Sequence, residues 1–120
     1  MKLTRNDWVK RGEALYGKDI EAWEFNCPTC DNKQSVKSLR QQQEKGIPSK
    51  RYGLLKKGTE LFIEGDCYSK DCDYSANGLL TTNILVIIDD KKHYNEATKE
   101  NCGFVLPFSK DKEMLKANGE

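Results

Sequence analysis

Two cysteine pairs, Cys27-Pro28-Thr29-Cys30 and Cys67-Tyr68-Ser69-Lys70-Asp71-Cys72, stand thirty-six residues apart in a chain of 120. A chain of that length buries only about two thirds of its unfolded surface, so help from a metal or a cross-link weighs heavily on what it can fold into. Four thiolates around zinc form a tetrahedron with sulfurs about 2.3 Å from the ion, and two short turns that each present a pair of sulfurs supply that geometry. The spacing therefore predicts a zinc-ribbon pattern with Cys27, Cys30, Cys67 and Cys72 as ligands of a structural Zn2+. Pro28 stiffens the first turn, and Gly65 and Asp71 suit a tight second one.

The cysteine spacing leaves other uses of the thiols open. A thiol-redox pair needs a cysteine at a helix N-terminus, whereas strand signals flank Cys27 and Cys30. Two disulfides with a spare thiol, an iron-sulfur cluster, or a set in which Cys102 replaces one ligand complete the alternatives. Cys102 itself reads as a small buried apolar residue. The N-terminal Met-Lys-Leu-Thr-Arg-Asn-Asp-Trp has no apolar run after its basic residue, which argues against a secretory signal or membrane span and for a cytoplasmic location, where thiols stay reduced.

Local signals place the pairs on an α+β fold in one small domain. Thr4-Arg5-Asn6-Asp7 resembles a capping box, Trp8, Val9, Leu15 and Tyr16 share a helical stripe, and Gly17 suits a C-terminal cap. Ile20 to Asn26 reads as a strand with Trp23 and Phe25 on one side, returning antiparallel through Gln34 to Lys37 with the thiols at the tip. Ser38-Leu39-Arg40-Gln41 reads as a second capping box, opening a polar helix that stops at Gly46 and Pro48. Leu61-Phe62-Ile63 leads as a strand to Cys67, Asn77-Gly78 favours a hairpin turn, and residues 81 to 88 are the most apolar run. Whether its residues 84 to 88 pair within one chain or across a dimer is open. Gly103 to Phe108 is a further strand candidate, limited by Pro107, and a helix is expected from Lys110 onward. The expected architecture is zinc-ribbon-like β-hairpins with an N-terminal helix and a small antiparallel sheet, residues 81 to 120 forming a strand-rich extension.

Charge is uneven although the net is only +1. Residues 27 to 60 carry eight Lys/Arg against three Asp/Glu, and residues 61 to 120 carry seven against eleven, so the middle is basic and the end acidic. The one histidine, His93, lies in a charged stretch and reads as solvent-facing. With no second histidine and no Gly-rich phosphate loop, the sequence predicts no enzyme.

Trp23-x-Phe25-x-Cys27-Pro28-x-Cys30-x4-Ser35-Val36 and Cys72-x-Tyr74-x3-Gly78-Leu79, preceded by Trp8, Gly12, Glu13, Gly17 and Asp19, resemble a family of small, uncharacterised, ribbon-like proteins of tailed phages and prophages. The resemblance covers about residues 3 to 80. It implies a phage or mobile-element origin and the same four zinc ligands, with Asp31 standing where that family tends to have glycine. Two functions follow as expectations. One is an interaction module that binds or inhibits a host protein or ribonucleoprotein, as anti-defence factors such as anti-CRISPR proteins do. The other is a nucleic-acid-binding ribbon using Lys33, Lys37, Arg40, Lys45, Lys50, Arg51, Lys56 and Lys57 on phosphates and Tyr52 for stacking.

Overall fold

The computed structural model describes residues 2–58, 63–76, 86–88, 94–95 and 100–117. The chain opens with strand β1 (Lys2–Thr4) and helix α1 (Arg5–Tyr16). The Thr4 hydroxyl accepts the Asp7 N–H at 3.1 Å, supplying the expected cap. Gly17 closes the helix at φ 86°, its N–H donating to the Glu13 carbonyl at 2.8 Å. The inward face of α1 carries buried Trp8 and Gly12. Gly12 is required by close approach, because a Cβ there would lie 2.5 Å from the Trp23 ring. The Trp23 indole N–H reaches on to the Gly17 carbonyl at 2.9 Å.

Residues Ile20–Ala22 form a 3-10 turn rather than the expected strand, and Ile20 is 65% exposed. The Asp19 carboxylate accepts the Glu21 N–H and drives this turn, a local competition that the apolar pattern does not report. Strand β2 (Phe25–Asn26) then pairs antiparallel with β3 (Lys33–Gln34), Phe25 opposite Gln34 and Asn26 opposite Lys33. Helix α2 (Val36–Glu44) starts earlier than expected. Ser35 is its N-cap, and the box is Ser35 with Ser38, not Ser38 with Gln41. That register turns Leu39 inward against Leu55 and Tyr68, so the helix has an apolar footprint that its polar composition conceals.

Strands β4 (Val86–Ile88), β5 (Tyr94–Asn95) and β6 (Glu100–Phe104) join β1 in a four-stranded sheet of order β1-β4-β6-β5. β1 runs parallel to β4, whereas β6 is antiparallel to both β4 and β5. This larger sheet is thus mixed, and the small antiparallel sheet that was expected is the two-stranded β2-β3 pair. Residues 86–88 have partners on both sides within the same chain, which answers the question of their pairing. β6 begins at Glu100 and ends before Pro107, consistent with the missing N–H of proline. The expected strand at Leu61 and Phe62 and the turn at Asn77-Gly78 fall outside the described residues, and Ile63 lies in a turn.

The main core joins both ends of the chain. Trp8, Trp23, Phe25 and Phe108 pack as one aromatic group, with Trp8 and Trp23 edge-on at 5.5 Å and Phe25 and Phe108 tilted at 5.3 Å. Leu3, Ala76, Val105, Leu106 and Met114 surround them. The segment after β6 also runs beside β2, since Asn26 N–H donates to the Pro107 carbonyl and Ser109 N–H to that of Glu24. A short helix α3 (Lys112–Ala117) follows, near the expected start. Asp111 caps it and pairs with Arg11 of α1 at 2.9 Å.

Candidate metal centre

Cys27 directly follows β2, and its N–H donates to the Asn32 carbonyl while its own carbonyl accepts the Asp31 N–H, both at 2.9 Å. The turn between them places Asp31 at φ 62°, a left-handed conformation that short polar side chains tolerate better than most. The second turn is built similarly. Cys67 N–H donates to the Tyr74 carbonyl at 2.9 Å, Ala76 N–H to that of Gly65 at 2.7 Å, and Asp66 bridges Ser75 antiparallel. Cys67 to Cys72 is the loop of this short hairpin.

The two turns meet. The sulfurs of Cys27, Cys30, Cys67 and Cys72 all lie within 4.8 Å of one another, with Cys27 to Cys72 at 4.0 Å and Cys30 to Cys67 at 3.6 Å. A tetrahedron of radius about 2.3 Å has an edge of about 3.8 Å. A disulfide needs about 2.05 Å, and all four thiols are free. Cys27, Cys67 and Cys72 are buried and Cys30 is exposed, with Tyr74 packed against the buried three. The donor set and its spacing fit one metal ion, the four sulfurs filling a tetrahedral shell.

Electrostatics favour a cation here. Backbone N–H groups of Thr29 and Cys30 face the Cys27 sulfur, that of Asn32 faces Cys30, and that of Ser69 faces Cys67. The neighbouring Cys67 thiol and those amides bring the Cys27 thiol down to about 5 against the opposing effect of burial. Cys67 is raised in turn by the proximity of Cys27 and by burial. Burial pushes the Cys30 thiol up to about 11. Without a cation one sulfur ionises readily and these two neighbours hold their protons; a divalent ion reverses that preference by neutralising the crowded charge.

Sequence reasoning missed Gln34, a side chain only 2% exposed that joins the two turns. Its Nε2 donates to the Ile63 and Asp66 carbonyls at 2.9 and 2.6 Å, and its Oε1 accepts from the Tyr68 N–H at 3.0 Å and from Asn32 Nδ2 at 3.4 Å. The amide thus grips the backbone on both sides of Cys67, as a neighbouring strand would. Asp66, likewise buried, accepts the Ser75 hydroxyl at 2.6 Å and that of Tyr52. The only available signal for Gln34 was its place in a strand beside a ligand turn, which does not distinguish an inward carboxamide from an outward one.

The predicted contact residues fare differently from the ligands. Lys33, Lys37, Lys45, Lys50, Lys56 and Lys57 are exposed. Arg40 is committed to an ion pair with Glu21 at 2.5 Å, and Arg51 donates to the Asp73 carbonyl at 2.9 Å. Tyr52 is 49% exposed, but its ring stacks on Tyr68 at 5.4 Å with the Arg51 guanidinium 5.8 Å from its centroid. His93 lies outside the described residues, as does the side chain of Cys102, whose backbone belongs to β6 opposite Ile88. No helix among the described residues is long and apolar enough to cross a membrane.

A family model described as VVA0879-like matches residues 4–98, a span that holds all four clustered cysteines and continues beyond residue 80. No curated protein and no solved structure matches the chain.

Proposed function

The chain belongs to the VVA0879-like family, and from the thiol cluster inside the matched span we propose a zinc-ribbon-like interaction module, with one structural Zn2+ on Cys27, Cys30, Cys67 and Cys72. The observation that carries this reading is the convergence of four sulfurs from two distant turns within 4.8 Å. Four protein sulfurs leave a tetrahedral ion no open position for water or substrate, so its role is to hold the fold and not to catalyse. Zinc fits better than iron-sulfur chemistry because a single tetrahedral ion accounts for the sulfur spacing. In small ribbons such a site contributes apparent folding energy on the order of 10 kcal/mol. Elemental analysis of the purified protein tests this directly, with one zinc per chain expected.

The module's role is that of a phage-type accessory protein in the host cytoplasm, occupying a surface of a host protein or ribonucleoprotein in the anti-defence, anti-CRISPR-like manner. The resemblance to phage ribbon proteins and a closed metal shell support that reading. A pull-down from host lysate, with and without nuclease, tests it: a host protein recovered in both arms is expected, and recovery of nucleic acid alone overturns it. The second reading, a nucleic-acid-binding ribbon on residues 33 to 57, draws on six exposed lysines, Lys33, Lys37, Lys45, Lys50, Lys56 and Lys57. It requires affinity for free DNA or RNA that falls steeply with salt and is lost in the K56E/K57E variant.

A further inference from the structure

Residues 45 to 58 form a loop between α2 and the second cysteine turn, and it is unusually well anchored for a loop with so much exposed surface. Ser49 and Gly53 exchange backbone hydrogen bonds at 2.8 and 2.9 Å, and the Ser49 hydroxyl accepts the Tyr52 N–H. Lys50 N–H donates to the Ser69 carbonyl, Gln43 Nε2 donates to the Lys56 carbonyl, and Leu55 is buried beside Leu39 and Tyr68. Yet Ile47 is 38% exposed and Leu54 62% exposed. The scaffold holds these aliphatic groups out in water. An ordered loop loses little entropy when a partner docks on it.

The same loop is entirely basic in charge. Between positions 45 and 59 the sequence has Lys45, Lys50, Arg51, Lys56 and Lys57 and no Asp or Glu. Among the described residues no carboxylate lies within ion-pair distance of the four lysines. Lys45 and Ile47 also line a groove of about 410 Å³ between α2 and the second turn, shared with Gln42, Tyr68, Lys70 and a single carboxylate, Asp71. A partner suited to this surface carries negative charge and apolar side chains together.

We propose that the 45–58 loop and its adjoining groove dock an acidic protein segment with interspersed aliphatic or aromatic residues. The inference rests on the interaction-module reading and names the surface and partner chemistry. Charge alone would also suit nucleic acid, but Ile47 and Leu54 present no flat face to a base. Tyr52, the one aromatic of the loop, already stacks on Tyr68 with its hydroxyl tied to buried Asp66. Aliphatic groups among cations match acidic-apolar peptide better than a strand of stacked bases.

The test is selection of a random twelve-residue peptide display library on the zinc-loaded full-length chain, beside oligo-dT binding by fluorescence anisotropy. Enriched peptides should combine Asp/Glu with Leu, Ile, Phe or Trp, and bind at least tenfold more weakly to I47D/L54D and to K56E/K57E. These substitute exposed side chains, and each variant is used only if it retains stoichiometric metal. Enriched peptides indifferent to both variants would sink the docking surface while leaving an interaction module elsewhere on the chain. Enrichment of nothing, with oligo-dT bound through Lys56 and Lys57, would sink the surface and the module reading together.

Discussion

The aromatic core and the cysteine lobe solve the same problem with different physics. Around Trp8, Trp23, Phe25 and Phe108, stability comes from apolar area removed from water, and the two ends of the chain are joined by it. Around the cysteines, four ionisable groups crowd together beside a buried carboxamide and a buried carboxylate, an arrangement that burial alone disfavours. One region should therefore stand without metal. The other needs a cation to offset its own charge.

The largest break in that contrast is metal removal. Stripping the ion with a chelator, or Cys67→Ser, should expose the amides of residues 27–34 and 63–76 to hydrogen exchange while those of α1 stay protected. Acid should do the same, since protons compete for each sulfur and metal retention falls with falling pH; a zinc-release titration reads this. Equal loss of protection in α1 would mean that the two regions are one cooperative unit.

Phe108→Ala strikes the opposite side. It removes a fully buried ring that touches both tryptophans and should cost about 3–5 kcal/mol by denaturant titration, with metal content unchanged in the folded protein. A smaller effect is expected at the seam. Gln34→Leu leaves the Asp66 carbonyl and Tyr68 N–H without their partner, costing about 1–3 kcal/mol. Metal affinity should fall about 10–100-fold, read by competition with a chromophoric chelator. Gln34→Glu, which keeps the shape but loses the donors, should not restore it. The smallest change is Asp31→Gly, which relieves a left-handed residue in the first turn and should raise stability by about 1 kcal/mol or less in thermal unfolding of the loaded protein.

Legibility from sequence followed the range of the interaction. The Thr4 cap, the Trp8 stripe and the pairing of Cys27 with Cys30 operate over a few residues, and the structure has them where spacing put them. The α2 start differs from the Ser38-Leu39-Arg40-Gln41 box because Ser35 caps the helix with a serine, Ser38, in the place where the box pattern expects Glu or Gln. The observed register is the one in which Leu39 meets Leu55 and Tyr68, residues still to come in the chain. β1 carried too few residues for any periodic signal, and its parallel pairing with β4 joins positions more than eighty apart.

What the amino-acid sequence determined by itself was chemical: sulfur donors in two close pairs, helix ends marked by hydroxyls and glycine, and a basic middle. Tertiary structure decided which polar groups lie inside, since Gln34 becomes a clamp and Tyr52 a stacked anchor only when segments far apart in sequence come into contact. The physical reason is reach. Backbone geometry confines a cap or a short cysteine turn to neighbouring residues, whereas burying a carboxamide requires distant partners for every donor and acceptor it removes from water.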